Sequence, residues 1–311
     1  MIVCVSLNPA LDVTYRLDAP LELGGTNRVA DVALRPGGKG INVARVLGHV
    51  GKHARVVAPL GGATGERVRG EADRLGVDGA WVDVAAETRR TVVAWEVGSG
   101  VATTLSENGA PLTAGDWRGI VAAVEELLPA DAVVVSGSVP AGLPPDAIAQ
   151  ITHLASASGA LVVVDTASPT LGAAIDAGAS IVKPNRDELS SLLARSIGRS
   201  VRDLADAAHE FRAGRDVAVV ASDGMCGLVA VTASGAWHAQ PPAISTGNAT
   251  GAGDACVAGL VAATLDHAPW PSVIRRGAAF GAAAAREPVA GEVGDLADLD
   301  GVESATLVEE L

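Results

Sequence analysis

Ala132-Val133-Val134-Val135-Ser136 and Leu161-Val162-Val163-Val164-Asp165 are the two runs on which the fold is read. Each is short, apolar and rich in β-branched residues, which predicts a strand covered on both faces. Helical patterns over 116–128 and 145–158 precede them, and Gly137-Ser138 follows the first. The alternation continues with a short helix near 170–176 and a strand over 180–183 that ends at Lys183-Pro184-Asn185. Helices over 187–194 and 200–213 follow, then strands over 216–221 and 227–231 that flank Ser222-Asp223-Gly224. Strand–helix alternation of this kind predicts an α/β fold: a mostly parallel central sheet with helices on both faces, in three layers.

Working back from this core, Ile2 to Leu7 reads as a buried strand that ends at Asn8-Pro9, with Asp12 just beyond. Open α/β sheets build their sites at such carboxyl ends. Residues 13–18 and 27–34 alternate like strands around Gly24-Gly25, and 91–97 and 101–107 do so around Gly98-Ser99-Gly100. These predict two partly exposed hairpins and a small β lid. Between them lie a strand over 56–60 and a polar helix over 65–75. Beyond the core the last third reads as Ala-rich helix, 252–265 and then 270–285, with Pro269 and Pro271 at the boundary.

Composition narrows the function. The 311 residues are 49 % hydrophobic, enough for a large core, and only 3 % aromatic, which argues against a surface built on base stacking. A net charge of −13 disfavours nucleic acid and anionic membranes as partners. Cys4, Cys226 and Cys256 are too few and too scattered for a disulfide framework or a Cys-rich metal site. The start has no basic region before its short apolar run, and no apolar run is long enough for a membrane span, so a cytoplasmic protein is expected.

Four polar stretches carry candidate chemistry. Thr250-Gly251-Ala252-Gly253-Asp254-Ala255 opens the apolar run Cys256 to Leu265. The first N–H groups of a helix lack partners within it and sit at the positive end of its dipole. Gly251 and Gly253 leave a phosphate free to approach them. Asp254 either caps that turn or is a general base facing a phosphoryl group. Pro36-Gly37-Gly38-Lys39-Gly40-Ile41-Asn42 opens another helix, as a tight turn with a solvated lysine or as a cradle for a polyhydroxylated ligand. Arg89 and Arg90 form a solvated edge unless one of them clamps a phosphate. Asn185 and Glu188, three apart, are a helix cap or the oxygen ligands that orient a hydrated Mg²⁺. The chain has no Gly-x4-Gly-Lys-Ser/Thr loop, no dinucleotide fingerprint and no Gly-x-Ser-x-Gly elbow.

In order and spacing these stretches resemble the ribokinase-like, or PfkB, carbohydrate kinases. Gly-Ala-Gly-Asp at 251–254, Lys-Pro-Asn-x-x-Glu at 183–188 and Pro-Gly-Gly-Lys-Gly-Ile-Asn-Val-Ala-Arg at 36–45 carry the likeness. Leu-Asn-Pro-Ala-Leu-Asp at 7–12, Thr88-Arg89 and Ser136-Gly137-Ser138-Val139-Pro140 narrow it to the branch with 1-phosphofructokinase, tagatose-6-phosphate kinase and the minor 6-phosphofructokinase.

The resemblance implies ATP- and Mg²⁺-dependent phosphorylation of a sugar-phosphate hydroxyl. It implies Asp254 as base, the N–H groups of Ala252, Gly253 and Asp254 as an anion hole with Gly251, and Asp12, Gly37, Gly38, Lys39 and Asn42 at the sugar. Arg89, helped by Arg28 and Lys39 and bordered by Ser138, would hold the phosphate already present. Lys183, Ser222, Gly224 and Gly227 fall on the nucleotide side, with Asn185 and Glu188 as the metal motif.

Three positions depart from the family: Thr91, the turn Glu107-Asn108-Gly109-Ala110-Pro111, and Asn248-Ala249-Thr250. The expectation is one kinase domain over 1–311, a lid formed by about 13–35 and 88–108, and a homodimer through that lid. Fructose 1-phosphate or tagatose 6-phosphate is expected ahead of fructose 6-phosphate. Two other readings stay open: a kinase of an unphosphorylated sugar or nucleoside, and a catalytically silent sugar-phosphate-binding regulator.

Overall fold

β1 (Ile2–Val5) is four apolar residues, all buried, and the main sheet grows from it in both directions. The computed structural model describes residues 1–167, 170–243, 250–287, 289 and 291–311; Asn248 and Ala249 lie outside them.

β2 (Ala10–Leu17) and β3 (Asp31–Gly37) follow, then α1 (Lys39–His49), β4 (Ala54–Leu60), α2 (Gly62–Arg74) and β5 (Asp78–Asp83). Next come β6 (Arg89–Glu96), β7 (Ala102–Ser106), α3 (Ala114–Glu125), β8 (Ala132–Ser136), α4 (Ala147–Ala157) and β9 (Leu161–Asp165). After α5 (Thr170–Asp176), β10 (Ile181–Val182), α6 (Arg186–Leu192) and α7 (Val201–Arg212) lie β11 (Ala218–Ser222), β12 (Leu228–Val231) and β13 (Ala236–Gln240). The chain closes with α8 (Ala252–Leu265), α9 (Trp270–Ala284), α10 (Leu296–Ala305) and β14 (Leu307–Glu310).

The strand order in the main sheet is β14-β13-β12-β11-β10-β9-β8-β1-β4-β5. From β5 to β11 every pairing is parallel, with Ile2 opposite both Ala54 and Ala132. The α/β architecture with helices on both faces is therefore the one read from the alternation. The far flank differs, because β11 to β14 pair antiparallel. β13, α10 and β14 lie outside the segments the sequence reading assigned. These segments give weak local signals: β13 is Ala-Trp-His-Ala-Gln and β14 ends in two glutamates. β5, bracketed by aspartates and holding a glycine, was unread for the same reason.

The lid is one four-stranded sheet, β3-β2-β6-β7. Its two hairpins are joined by a parallel β2–β6 ladder that runs from Ala10 opposite Arg89 to Leu17 opposite Glu96. Glu292 Oε1 also ties lid to core, 3.3 Å from Arg35 Nε on β3 and 3.4 Å from Arg45 Nη2 on α1.

α8 is buried almost all round, which its charge-poor sequence requires. Its closest neighbour is α9. A Cβ on Gly259 would lie 2.7 Å from the Arg276 carbonyl oxygen, so only glycine permits this helix spacing. Among the described residues no helix is long and apolar enough to cross a membrane.

Candidate active site

The carboxyl ends of β1, β8, β9, β10 and β11 face the N-termini of α1 and α8, and the polar stretches of the sequence meet in that space. At α8, Gly251 takes a left-handed conformation (φ 84°) that turns the chain into the helix, and Asp254 lies in the first turn. Its N-cap residue, Gly251, has no side chain to cap it. The Asp254 carboxylate accepts a hydrogen bond of 2.8 Å from Asn42 Nδ2 instead, so its capping alternative is not realised. The Asp254 N–H donates to the Gly251 carbonyl at 3.1 Å. The N–H groups of Ala252 and Gly253 have no acceptor among the described residues.

Asp254 is 4 % exposed. Burial raises its pKa to about 6; Lys39 and the bond from Asn42 oppose the rise, and the Asp165 charge adds to it. Asp12, on β2, lies against the backbone of Gly37, where a Cβ would be 2.1 Å from its Cγ. It keeps some exposure but sits deep in the cleft. That desolvation lifts it to about 7, against the pull of Arg89 and with a push from Asp254. The two carboxylates sense each other across the same space.

Gly38 precedes α1 with φ 105°, and a Cβ there would fall 2.9 Å from Pro9 Cα. This turn fixes Lys39 at the first position of α1. Lys39 Nζ is 3.2 Å from one oxygen of Asp165, and Lys183 Nζ, at the end of β10, is 3.2 Å from the other. Burial alone would lower both ammonium pKa values, but the Asp165 charge raises them. In turn the two lysines hold Asp165 below the ordinary carboxylate range despite its burial. A single internal carboxylate thus joins the lysine of α1 to the lysine at the end of β10. Sequence reasoning recorded Asp165 only as a strand end and gave it no role; its position at the carboxyl end of a parallel strand was the available signal.

On the Lys183 side lies a cleft of about 330 Å³. Lys183, Ser222, Gly224, Gly227, Ala252 and Gly253 line it, whereas Asn185 and Gly251 are not among its lining residues. Its remaining wall is largely apolar, with Met225, Leu228, Pro241 and Pro242, so it suits a flat heterocycle with phosphates directed at α8. Asn185 and Glu188 form a reciprocal cap of α6. Asn185 Oδ1 accepts from the Glu188 N–H and Glu188 Oε2 from the Asn185 N–H, both at 2.8 Å. The cap uses one Glu188 oxygen and leaves the other, and the Glu188 charge is felt at Lys39. That fits a hydrated Mg²⁺, which is held by one or two carboxylates and keeps several waters. Among the described residues no cluster of three His, Cys, Asp or Glu side chains is placed to hold a metal directly.

On the opposite side Arg89 starts β6. Its Nε donates to the Asn8 carbonyl at 3.2 Å, and its Nη1 donates to Ser106 Oγ at 2.8 Å and to the Glu107 carbonyl at 3.1 Å. Ser138 is brought beside it through Asn8. Arg28 is not brought into this network: it lies exposed between β2 and β3, with no hydrogen bond or ion pair among the described residues.

Known proteins share this fold. Residues 5–294 match the pfkB family of carbohydrate kinases. Phosphofructokinase-2 from Escherichia coli, solved in complex with substrates and products, is 28 % identical with a TM-score of 0.89, over 97 % of this chain and 98 % of that one. A tetrameric inhibited form of the same enzyme gives 29 % and 0.88, with the same coverage. A Thermotoga maritima protein described as a possible 1-phosphofructokinase is 25 % identical with a TM-score of 0.89, over 100 % of this chain and 99 % of that one. The match spans nearly the whole fold built above, so the chain belongs to the pfkB family of carbohydrate kinases and is a phosphotransferase with an alcohol group as acceptor.

Proposed function

We propose that the protein transfers the γ-phosphoryl group of ATP to a hydroxyl of a phosphorylated ketohexose, with Asp254 as general base. Fructose 1-phosphate and tagatose 6-phosphate are the first candidates and fructose 6-phosphate the third. The observation that carries this reading is the buried Asp254 carboxylate, oriented by Asn42 at 2.8 Å, whose charge acts on Asp12 beside Arg89 and is acted on by Lys183.

In this reading Asp12, Gly37, Gly38, Lys39 and Asn42 orient the acceptor, so that one hydroxyl faces Asp254. Asp254 takes the hydroxyl proton as the acceptor oxygen bonds to the γ-phosphorus and the bond to the β-phosphate oxygen breaks. The N–H groups of Ala252 and Gly253, with Lys39 and Lys183, offset the charge that moves. Phosphoryl transfer needs positioning and charge neutralisation above all, and these groups supply both. Ser222, Gly224 and Gly227 border the nucleotide. Mg²⁺, when bound, neutralises phosphate charge, and Glu188 with Asn185 would hold it. Arg89 and Ser138 bind the phosphate the acceptor brings.

The chain acts in this proposal as one kinase domain over 1–311, with the segments 13–35 and 88–108 as lid, and as a homodimer. Val32 (49 % exposed), Val101 (50 %) and Leu105 (65 %) leave apolar surface on the lid, which supports pairing there. The neighbour with the tetrameric inhibited form makes higher assembly a second outcome of the same measurement. Light scattering of wild type and Val32→Asp distinguishes them.

The deciding experiment is ADP release with ATP and Mg²⁺ over fructose 1-phosphate, tagatose 6-phosphate, fructose 6-phosphate, fructose, tagatose and ribose. Turnover confined to the phosphorylated sugars is expected. Turnover confined to free sugars would discard the Arg89 clamp, and no ADP release with any of the sugars would favour the silent binder.

A further inference from the structure

The polar groups around Arg89 converge on a side chain that the motif reading passed over, Asn8. It leaves the carboxyl end of β1 half-buried, and its amide reaches two distant segments. Nδ2 donates to the Asn108 carbonyl, 100 residues away, at 3.1 Å, and to Ser138 Oγ, 130 residues away, at 2.9 Å. Its backbone carbonyl accepts from Arg89 Nε at 3.2 Å. Gly109, with φ +85°, lies flush on the amide, and a Cβ there would be 2.4 Å from Asn8 Oδ1. Four segments meet on one residue: the exit of β1, the start of β6, the turn after β7 and the exit of β8.

These bonds fix which donors remain. Asn8 Nδ2 has two hydrogens and spends both. Because Ser138 Oγ accepts from Asn8, its own hydroxyl hydrogen is left to donate. Arg89 spends Nε on Asn8 and Nη1 on Ser106 and Glu107, so the N–H groups of Nη2 are open among the described residues. The result is a hydroxyl and a guanidinium edge, each aimed by Asn8, at the rim of the acceptor side. An asparagine that only closed its own Asn-Pro turn would bond to nearby backbone. This one bonds across the fold. It is also neutral, so it leaves the Arg89 charge available to an anion.

We infer that Asn8 is the positioning residue of the phosphate clamp: it sets Arg89, Ser138 and the 107–109 turn in the geometry that reads a phosphate already on the acceptor. This rests on the sugar-phosphate reading above.

The test compares wild type, Asn8→Ala, Asn8→Asp, Ser138→Ala, the Asn8→Ala/Ser138→Ala double variant and Arg89→Ala, with inorganic phosphate as a competing probe. For Asn8→Ala the KM for the phosphorylated acceptor rises about tenfold, the scale of one lost hydrogen bond to an ionised group. The inhibition constant of inorganic phosphate rises with it, while kcat and the KM for ATP stay within about twofold. Asn8→Asp keeps the shape, puts a negative charge beside the incoming phosphate and raises the acceptor KM further. The double variant is less impaired than the product of the two single effects, because Asn8 acts partly through Ser138.

A rise shared equally by acceptor and ATP, or a fall in kcat alone, overturns the inference and makes Asn8 a simple turn staple. Arg89→Ala separates the two levels. An Arg89→Ala effect that falls equally on phosphorylated and free acceptors sinks the sugar-phosphate reading itself. A selective Arg89→Ala with silent Asn8 variants sinks only the role of Asn8. Should Asn8→Ala fail to fold, Asn8→Asp decides by the same criteria.

Discussion

Lys183 Nζ stands 3.2 Å from Oδ1 of Asp165, and both side chains are almost removed from water, at 5 % and 1 % exposure. The second Asp165 oxygen holds Lys39. Removing the charge of Asp165 would strand an ammonium that its burial cannot otherwise support. Asp165→Asn should therefore raise the KM for the sugar and for ATP together and cost about 3 kcal/mol of stability. Steady-state kinetics and urea unfolding check this; a rise confined to one substrate would mean that the two lysines are placed independently.

Asp254→Asn keeps the shape of the side chain and its place beside Asn42 but cannot accept a proton. We expect kcat to fall roughly 10²- to 10⁴-fold, the usual range for loss of a general base, with a small change in KM. A variant within threefold of wild type would remove Asp254 from the mechanism.

The pH profile follows from the two raised carboxylates. Asp254, lifted to about 6 in the free chain, must be ionised to act, so kcat/KM falls as pH drops through about 6. In kcat/KM the free enzyme also titrates Asp12, lifted to about 7, so the acid limb should be steeper than one proton. For stability the sign is opposite. The folded chain binds these protons more tightly than the unfolded chain, so their ionisation costs stability as pH rises from about 4 toward 7. Asp254→Asn should melt a few degrees higher than wild type at pH 8 and near wild type at pH 4. Parallel thermal scans decide it.

Arg89→Ala should raise the KM for phosphorylated sugars by about 10- to 100-fold, as expected for charge-assisted hydrogen bonds, and leave that for free sugars nearly unchanged. Equal effects on both classes would reject the clamp.

Gly37→Ala places a methyl group 2.1 Å from Asp12 Cγ, so Asp12 must move. The expected outcome is a selective rise of the sugar KM, with ATP binding intact by titration of the nucleotide alone.

How much of this was legible depended on whether a residue's role is local. The parallel core was legible because β8 and β9 are uninterrupted β-branched runs. Gly251 to Asp254 and Lys39 were legible because a glycine-rich turn opening a helix is a short-range pattern. Asp165 and Asn8 were not, since each acts through a partner far off in sequence, Lys39 at 126 residues and Ser138 at 130, and nothing near them marks those partners. The Asn185–Glu188 spacing allowed a cap and a metal motif; the chain forms the cap, which leaves one Glu188 oxygen for the other role. β13 and β14 escaped because an antiparallel flank needs only modest β-propensity once β12 offers an edge.

The parallel ladder between β2 and β6 has a consequence for how the protein assembles. Ala10 pairs with Arg89, so the two halves of the lid find each other only after β4, α2 and β5 have been laid down between them. Closing such a loop costs chain entropy that the ladder alone would not repay, whereas the ordered core has already brought the ends together. The lid is thus a late, cooperative element that melts as one block, and amide exchange in β2 and β6 should rise in step.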